Sequence, residues 1–104
     1  MDAPTAPTAE QVIATLRAHA PELRRAGIRH VALFGSLARG EASPASDVDL
    51  VVELDPDARI GLIRLAGLER RLSELLGRTV DLLPEPIEQP RVRANVEQDR
   101  QRAF

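Results

Sequence analysis

The sequence predicts a small α/β domain of the α+β type, with a mixed three-stranded sheet and helices packed on one face. Three short runs rich in Val, Ile and Leu, at residues 28–34, 47–54 and 79–83, have the length and composition of strands. A long segment with apolar residues at helical spacing separates the second run from the third. A chain of 104 residues supplies a single core, so one domain is expected.

The N-terminal region predicts a tail followed by helices. Residues 1–7 consist mostly of Ala, Pro and Thr, which is typical of a disordered tail. The folded domain is therefore expected to comprise residues 8–104. Thr8 and Gln11 have the spacing of a capping box that begins a helix. Pro21 is expected to end or kink that helix.

The first two strands are expected to pair in antiparallel fashion. The first run, which follows a helix stop at Gly27, ends at Gly35-Ser36, and the LARG sequence after it has the length of one turn of a short helix. Residues 41–46 contain Ser-Pro and predict a loop. Such a short connection favours a hairpin-like antiparallel pair over a crossover.

The second strand alternates between two kinds of side chain. One face carries Val48, Leu50, Val52 and Leu54, and the other carries Asp47, Asp49, Val51 and Glu53. Because neighbouring side chains of a strand point to opposite faces, the first face is expected to pack on helices. The second face is then the wall of an acidic cleft.

A helix over residues 60–76 and a third strand over residues 79–83 are expected next. The helix ends at Gly77, and its buried stripe is predicted to comprise Leu62, Leu65, Leu68 or Glu69, Leu72, Leu75 and Leu76. A strand reached through a helical crossover is expected to run parallel to the preceding strand. Asp81 then faces the same cleft as the two aspartates of the second strand.

The C-terminal region gives weaker signals. Three prolines make residues 84–90 a stiff connector. Residues 91–104 predict a polar helix with few apolar positions, which is either a fraying terminus or a partner-facing surface. On the second interpretation, deletion of residues 91–104 weakens complex formation and leaves the fold intact.

Composition excludes several classes of protein. The absence of cysteine excludes disulfides and thiolate metal sites. No apolar run has the length of a membrane span and no signal-peptide pattern is found, so a cytoplasmic protein without membrane contact is expected. The net charge of −2 gives no strong case for nucleic-acid binding. Residues 41–57 carry six acids and no base, which concentrates negative charge in the predicted cleft.

The two aspartates of the second strand and the Gly-Ser turn together indicate a site for a metal ion and a phosphate. Asp47 and Asp49 point the same way, and two carboxylates at 4 Å repel by roughly 4 kcal/mol at an effective dielectric of about 20. A hard cation such as Mg²⁺ relieves that repulsion. Gly35 and Ser36 offer backbone N–H groups and a hydroxyl to a phosphate. Either feature alone is usually a plain turn or a solvated strand face, but their combination predicts phosphoryl or nucleotidyl transfer.

These residues match a family pattern. The stretch GSLARGEASPASDVDL resembles the GSxARG…SDxDL signature of the minimal nucleotidyltransferase (MNT) group, within the DNA polymerase beta-like superfamily. The later VDLL also fits this group, and the resemblance covers roughly residues 10–104. It implies a nucleotidyltransferase fold.

The resemblance also implies roles for six residues. Asp47 and Asp49 would bind two Mg²⁺ ions. Asp81 would share one of these ions and help to deprotonate the attacking hydroxyl, so all three aspartates would be catalytic. The nucleotide triphosphate would be bound by Gly35, Ser36 and Arg39, although for Arg39 a structural salt bridge is an equal alternative. The metals would neutralise charge on the α-phosphate and pyrophosphate would leave.

Many members of this group are encoded beside a HEPN-domain protein and act as the antitoxin of a toxin–antitoxin pair. The resemblance therefore implies a hetero-oligomer with a HEPN toxin, and transfer of AMP from ATP to a tyrosine hydroxyl of that partner. Two alternatives stay open: an antitoxin that neutralises its partner by binding alone, and a small-molecule nucleotidyltransferase of the antibiotic-modifying sort. The chain has no Trp or Tyr and only two Phe, which leaves the mode of base binding and the preference for ATP over other nucleotides open.

Overall fold

Four helices and four strands make up the part of the chain that the structure, a computed structural model, describes, residues 7–104. Except for Pro7, the predicted disordered tail lies outside the described residues. In chain order the elements are α1 (Ala9–Ala18), α2 (Ala20–Arg25), β1 (Ile28–Phe34), β2 (Val48–Leu54), α3 (Leu62–Leu76), β3 (Val80–Pro84), α4 (Pro90–Asp99) and β4 (Gln101–Arg102). A single 3₁₀ turn, Pro56–Ala58, precedes α3.

The local signals in the N-terminal region are confirmed. The Gln11 backbone N–H donates to Thr8 Oγ1 and the Thr8 N–H donates to Gln11 Oε1, both at 3.1 Å, so the capping box is complete. The first helix ends at Ala18, and Pro21 lies in the first turn of α2, where its missing N–H costs nothing. Gly27 then stops the helical region with a φ of +108°.

The predicted fold class is confirmed, with one strand more than expected. The strand order is β3-β2-β1-β4. As predicted, β1 and β2 are antiparallel, and β2 and β3 are parallel. The fourth strand, β4, pairs with β1 in antiparallel fashion through Ala32↔Arg102 and Leu33↔Gln101. A strand of two residues has no alternation for the sequence to display, which is why it was predicted as helix.

Helices cover both faces of the sheet rather than one. The larger core lies between α1, α2, α3 and one sheet face, and includes Leu16, Leu23, Leu33, Leu50, Leu72 and Val80. On the opposite face, Val96 of α4 and Ile87 pack against Ala32 and Val51. The weak apolar stripe of α4 is therefore sufficient to cover the apolar part of this second face. Beyond it, the same face stays open at the carboxylates.

The C-terminal region is an integral part of the fold. Val96 and Ala103 are only 1% and 2% exposed. The Val31 N–H donates to the Phe104 carbonyl at 3.1 Å, and the Val31 carbonyl accepts from the Ala103 N–H at 2.9 Å. The interpretation of residues 91–104 as a fraying terminus is therefore wrong, whereas the partner-facing surface stays a prediction. Removal of this segment must expose the core, so its deletion cannot leave the fold intact.

The α3 helix differs from its prediction in its first turn. It begins at Leu62, whose side chain is 84% exposed, so the assignment of Leu62 to the buried stripe is wrong. The following Ile63 is 90% exposed as well, so the start of α3 presents two large apolar side chains to solvent. The remainder of the stripe packs on the core, and the helix ends as predicted at Gly77, with a φ of +65°.

The outer edge of β3 is closed by side chains of α3. The Leu82 N–H donates to Glu69 Oε2 and the Val80 N–H donates to Ser73 Oγ, both at 3.1 Å. These two bonds fix β3, and with it Asp81, against the helix. Within the described residues, no helix is both long and apolar enough to cross a bilayer.

Candidate active site

Asp49 and Asp81 lie opposite each other on adjacent parallel strands. They are register partners of β2 and β3, and backbones of neighbouring strands are about 4.8 Å apart. Their chain neighbours Val48, Leu50 and Val80 are buried in the larger core, so both aspartates point to the other face. Asp81 is exposed on that face and is not turned into the interior.

The carboxylates of Asp47 and Asp81 both interact electrostatically with that of Asp49, so the three form one group. Partial burial raises the pKa of the Asp49 carboxyl, and the negative charges of Asp81 and Asp47 raise the pKa further. A hydrogen bond with Asp81 acts in the same direction, whereas the charge of Arg39 lowers the pKa. The interaction with Asp81 is stronger than that with Asp47, which is exposed just before β2 begins. Asp49 and Asp81 are thus the close pair, and Asp47 lies at its margin.

The donor chemistry of this group fits Mg²⁺. Within residues 7–104 there is no group of three or more His, Cys, Asp or Glu side chains already arranged as a metal site. Mg²⁺ usually takes only one or two protein carboxylates and completes its shell with water and substrate phosphates. The close pair of Asp49 and Asp81 meets that requirement, and a cation would offset the repulsion that raises the pKa of Asp49.

The raised pKa of Asp49 makes a prediction about the metal-free protein. A carboxyl whose pKa is higher in the folded state than in the unfolded state stabilises the fold only at acidic pH, and this contribution is lost as pH rises through the folded-state pKa. At neutral pH the charged Asp49 therefore destabilises the fold. Asp49→Asn is expected to raise the Tm in EDTA at pH 7 by a few degrees, measured by thermal denaturation.

The same experiment has an internal control. Added Mg²⁺ should raise the Tm of the wild-type chain and leave that of Asp49→Asn nearly unchanged, because a bound ligand stabilises only the form that binds it. The gain from the substitution should also shrink as the pH falls towards 4. A substitution that lowers the Tm in EDTA would contradict this account of the carboxylate group.

The turn at residues 35–40 follows β1 directly. It is closed by the Arg39 N–H donating to the Gly35 carbonyl at 3.2 Å and the Glu41 N–H donating to the Ser36 carbonyl at 2.8 Å. The LARG sequence is thus a hydrogen-bonded turn rather than a short helix. In the described part of the chain, the N–H groups of Ser36, Leu37 and Ala38 donate to no acceptor. Successive free N–H groups of this kind form a concave site for an anion such as phosphate.

Gly35 is required by its surroundings. Its φ is +79°, a region that side-chain-bearing residues rarely adopt, and a Cβ at this position would lie 3.1 Å from Asp49 Cγ and closer still to the carboxylate oxygen. Gly35 is thus the contact point between the turn and the carboxylates. Gly35→Ala is expected to destabilise the fold by about 1–3 kcal/mol and to displace Asp49.

Denaturant unfolding of Gly35→Ala, together with an activity assay, checks this prediction. Gly40 supplies the matched control, because it also has a positive φ, of +74°, but a Cβ there would meet nothing within 4 Å. Gly40→Ala should therefore carry only the backbone strain. Equal loss of activity in both variants would show that the approach of Gly35 to Asp49 is unimportant.

Arg39 is engaged in a salt bridge in the structure. Its Nε lies 3.0 Å from Glu41 Oε2 and its Nη1 lies 2.7 Å from Asp99 Oδ2. The structural ion pair given as one alternative by the sequence is therefore present, and the phosphate contact stays a prediction. Its positive charge nevertheless acts on Asp49, so Arg39 lies beside the carboxylate group.

Two residues of the site region were missed by the sequence analysis. Asp99 pairs with Arg39, and Gln101 Nε2 donates to the Ala38 carbonyl at 2.7 Å. Both were predicted to lie in a featureless terminal helix. No motif marks them, because their partners are 60 or more residues earlier in the chain and only the tertiary fold brings them together.

Comparisons with known proteins agree on one family. The model of the nucleotidyltransferase domain family matches residues 16–103. The protein adenylyltransferase MntA of Thermococcus cleftensis is 43% identical over 77 residues, which cover 73% of this chain and 76% of that protein. A solved structure of a candidate minimal nucleotidyltransferase has a TM-score of 0.74 and 35% identity, and the match covers 91% of this chain and 95% of that one.

A further similarity concerns the fold alone. A solved structure from Shewanella oneidensis contains a tri-AMPylated HEPN toxin in complex with an MNT antitoxin. It matches with a TM-score of 0.65 and 18% identity, covering 89% of this chain and 71% of that one.

Proposed function

The chain belongs to the nucleotidyltransferase domain family and is a nucleotidyltransferase enzyme, and on that basis we propose that it transfers AMP from ATP to a HEPN-domain toxin. In this proposal the reaction requires Mg²⁺ and takes place in the cytoplasm, where ATP is available. Modification of the toxin, together with binding, makes the chain its antitoxin. A protein acceptor is supported by the name of the Thermococcus relative and by the AMPylated toxin in the Shewanella complex.

One observation carries the proposal. The paired carboxylates of Asp49 and Asp81 face the open part of the sheet, and Gly35 brings a turn with free N–H groups against them. A triphosphate held by the N–H groups of Ser36 and its neighbours would lie next to the acidic pair. Groups that bind phosphate and groups that bind a divalent cation thus meet at one place, as nucleotidyl transfer requires.

The reaction then follows from the positions of these groups. The oxygen of the acceptor hydroxyl forms a bond to the α-phosphorus, the bond from that phosphorus to the bridging oxygen breaks, and pyrophosphate leaves with the electron pair. Asp81, the exposed member of the pair, accepts the proton of the hydroxyl. Asp47, Asp49 and Asp81 would hold Mg²⁺, which when bound supplies charge neutralisation at the phosphate. Gly35 and Ser36 hold the triphosphate, and Arg39 adds positive charge beside it.

The proposal predicts that the gene of this chain lies beside a gene for a HEPN-domain protein, and that protein is the substrate in the test. The two purified proteins are incubated with ATP and Mg²⁺, and the intact mass of the partner is measured. We expect a mass increase equal to one or more AMP groups, abolished by EDTA and located on a hydroxyl side chain by peptide mapping. An unmodified partner that is nevertheless inhibited in the complex would favour neutralisation by binding alone.

Nucleotide preference is read from the same assay. ATP, GTP, CTP and UTP are compared at equal concentration, and we expect the fastest transfer from ATP. Transfer to a small-molecule acceptor with no modification of the protein partner would instead support the antibiotic-modifying alternative.

A further inference from the structure

The turn that faces the carboxylates is held from behind by the C-terminal segment of the chain. Asp99, the last residue of α4, lies 2.7 Å from Arg39 through its Oδ2. Gln101, the first residue of β4, donates its Nε2 hydrogen to the Ala38 carbonyl at 2.7 Å. Two adjacent residues of this turn are therefore fixed by two residues of one segment.

The Asp99 contact is the stronger of the two. The side chain of Asp99 is 8% exposed, whereas that of Arg39 is 44% exposed. A carboxylate so far removed from water needs a charged partner, and Arg39 supplies one. Arg39 also contacts Glu41, but the Glu41 side chain is 63% exposed, and exposed pairs contribute little. The position of the Arg39 guanidinium is thus set by Asp99.

The Gln101 contact acts on the backbone of the turn. Holding the Ala38 carbonyl fixes the orientation of the peptide groups next to it. The N–H groups of Leu37 and Ala38, which have no acceptor in the described part of the chain, belong to this same turn. A fixed orientation keeps these groups directed at a ligand, which lowers the entropy cost of binding it.

We propose that Asp99 and Gln101 are positioning residues, which hold the turn at residues 35–40 and the Arg39 guanidinium in place for the nucleotide. This inference rests on the proposed function, because it assigns the turn to nucleotide binding. It gives the C-terminal segment a role in the site in addition to its role in the fold. Neither residue touches the reacting atoms, and both act through their contacts with the turn.

The test measures the affinity of a non-hydrolysable ATP analogue with Mg²⁺ by calorimetry. Asp99→Asn keeps the size of the side chain and removes its charge, and we expect about tenfold weaker binding, with a smaller loss for Gln101→Ala. In the transfer assay the KM for ATP should rise by a similar factor and kcat should change less, because the aspartates stay in place.

The matched control is Glu85→Gln. Glu85 Oε1 lies 2.8 Å from Arg100 Nη2, so this variant removes an ion pair next to Asp99 in the chain but does not touch the turn. Its affinity should stay within about twofold of the wild type, and its Tm should match that of Asp99→Asn within a few degrees. A general loosening of the C-terminal segment would instead weaken binding in both variants.

A double-mutant cycle with Arg39→Gln decides whether Asp99 acts through Arg39. We expect Asp99→Asn to change the affinity of the Arg39→Gln chain by less than about twofold. An undiminished effect in that background, or no effect in the wild-type background, would overturn the inference. A wild-type chain that binds no nucleotide would overturn the proposed function itself and the inference with it.

Discussion

Replacing Asp49 with Asn is expected to lower the rate of the proposed AMP transfer by about a thousandfold or more. One unit charge about 4 Å from a bound cation contributes roughly 4 kcal/mol at an effective dielectric of about 20. A change of this size in the transition-state free energy corresponds to about a thousandfold in rate. Asp47→Asn removes the charge of an exposed carboxylate beside Asp49 and Asp81. It should also lower the transfer rate strongly, but by less than Asp49→Asn.

The measurement is the initial rate of AMP incorporation into the proposed HEPN partner at saturating ATP and Mg²⁺. Glu53→Gln is the matched control, because Glu53 lies on the same strand and face as Asp49 but is exposed and paired with His30 at 3.5 Å. Its transfer rate should stay within about twofold of the wild type.

Binding of the partner should survive these substitutions. Asp49→Asn changes no buried apolar contact, so co-purification of the complex is expected to be retained while the modification is lost. The decisive outcome is toxicity in cells that carry the Asp47→Asn, Asp49→Asn double variant. If the toxin is still neutralised without loss, catalysis is not the basis of neutralisation, and the chain acts by binding alone.

Removing residues 101–104 is expected to destabilise the fold by about 3–5 kcal/mol. The deletion eliminates β4, the burial of Ala103 and the three backbone hydrogen bonds that join Val31 to Ala103 and Phe104, each hydrogen bond being worth about 1 kcal/mol. It also removes the Phe104 ring, over which the Arg24 guanidinium lies at 5.0 Å. Because the free energy of unfolding of native domains is only about 5–15 kcal/mol, the shortened chain should be marginally stable.

Thermal denaturation followed by circular dichroism measures this loss, which should lower the Tm by roughly 15 °C or more. A full-length chain with Arg102→Ala is the control, since it loses only the side-chain contact to His30 Nδ1 at 2.9 Å and keeps the backbone pairing. A shortened chain with the stability of the control would restore the original interpretation of this segment as a weakly packed terminus.

The placement of Asp49 and Asp81 on neighbouring strands could be predicted from the sequence. The alternation of β2 fixes which side chains share a face, and the helical crossover through α3 makes β3 its parallel neighbour. Those two constraints bring Asp81 opposite Asp49 without any knowledge of distances. The capping box at Thr8 was equally predictable, because its hydrogen bonds join residues three apart.

Other features depend on contacts that local patterns do not contain. The periodicity of α3 gave the direction of its apolar face, but it did not give the extent of the elements beneath, so the exposure of Leu62 was missed. The strand β4 forms because it pairs with β1, about 70 residues earlier, and not because of the strand propensity of Gln101 and Arg102. The pairing of Asp99 with Arg39 is non-local in the same way.

The pairing of β1 with β4 also affects how the protein is made. During synthesis, β1 leaves the ribosome long before residues 101–104, so its outer edge has no intramolecular partner until translation has passed those codons. An uncovered strand edge is a template for pairing with other chains. Slow translation of the codons between β1 and β4 should therefore increase aggregation of the nascent protein.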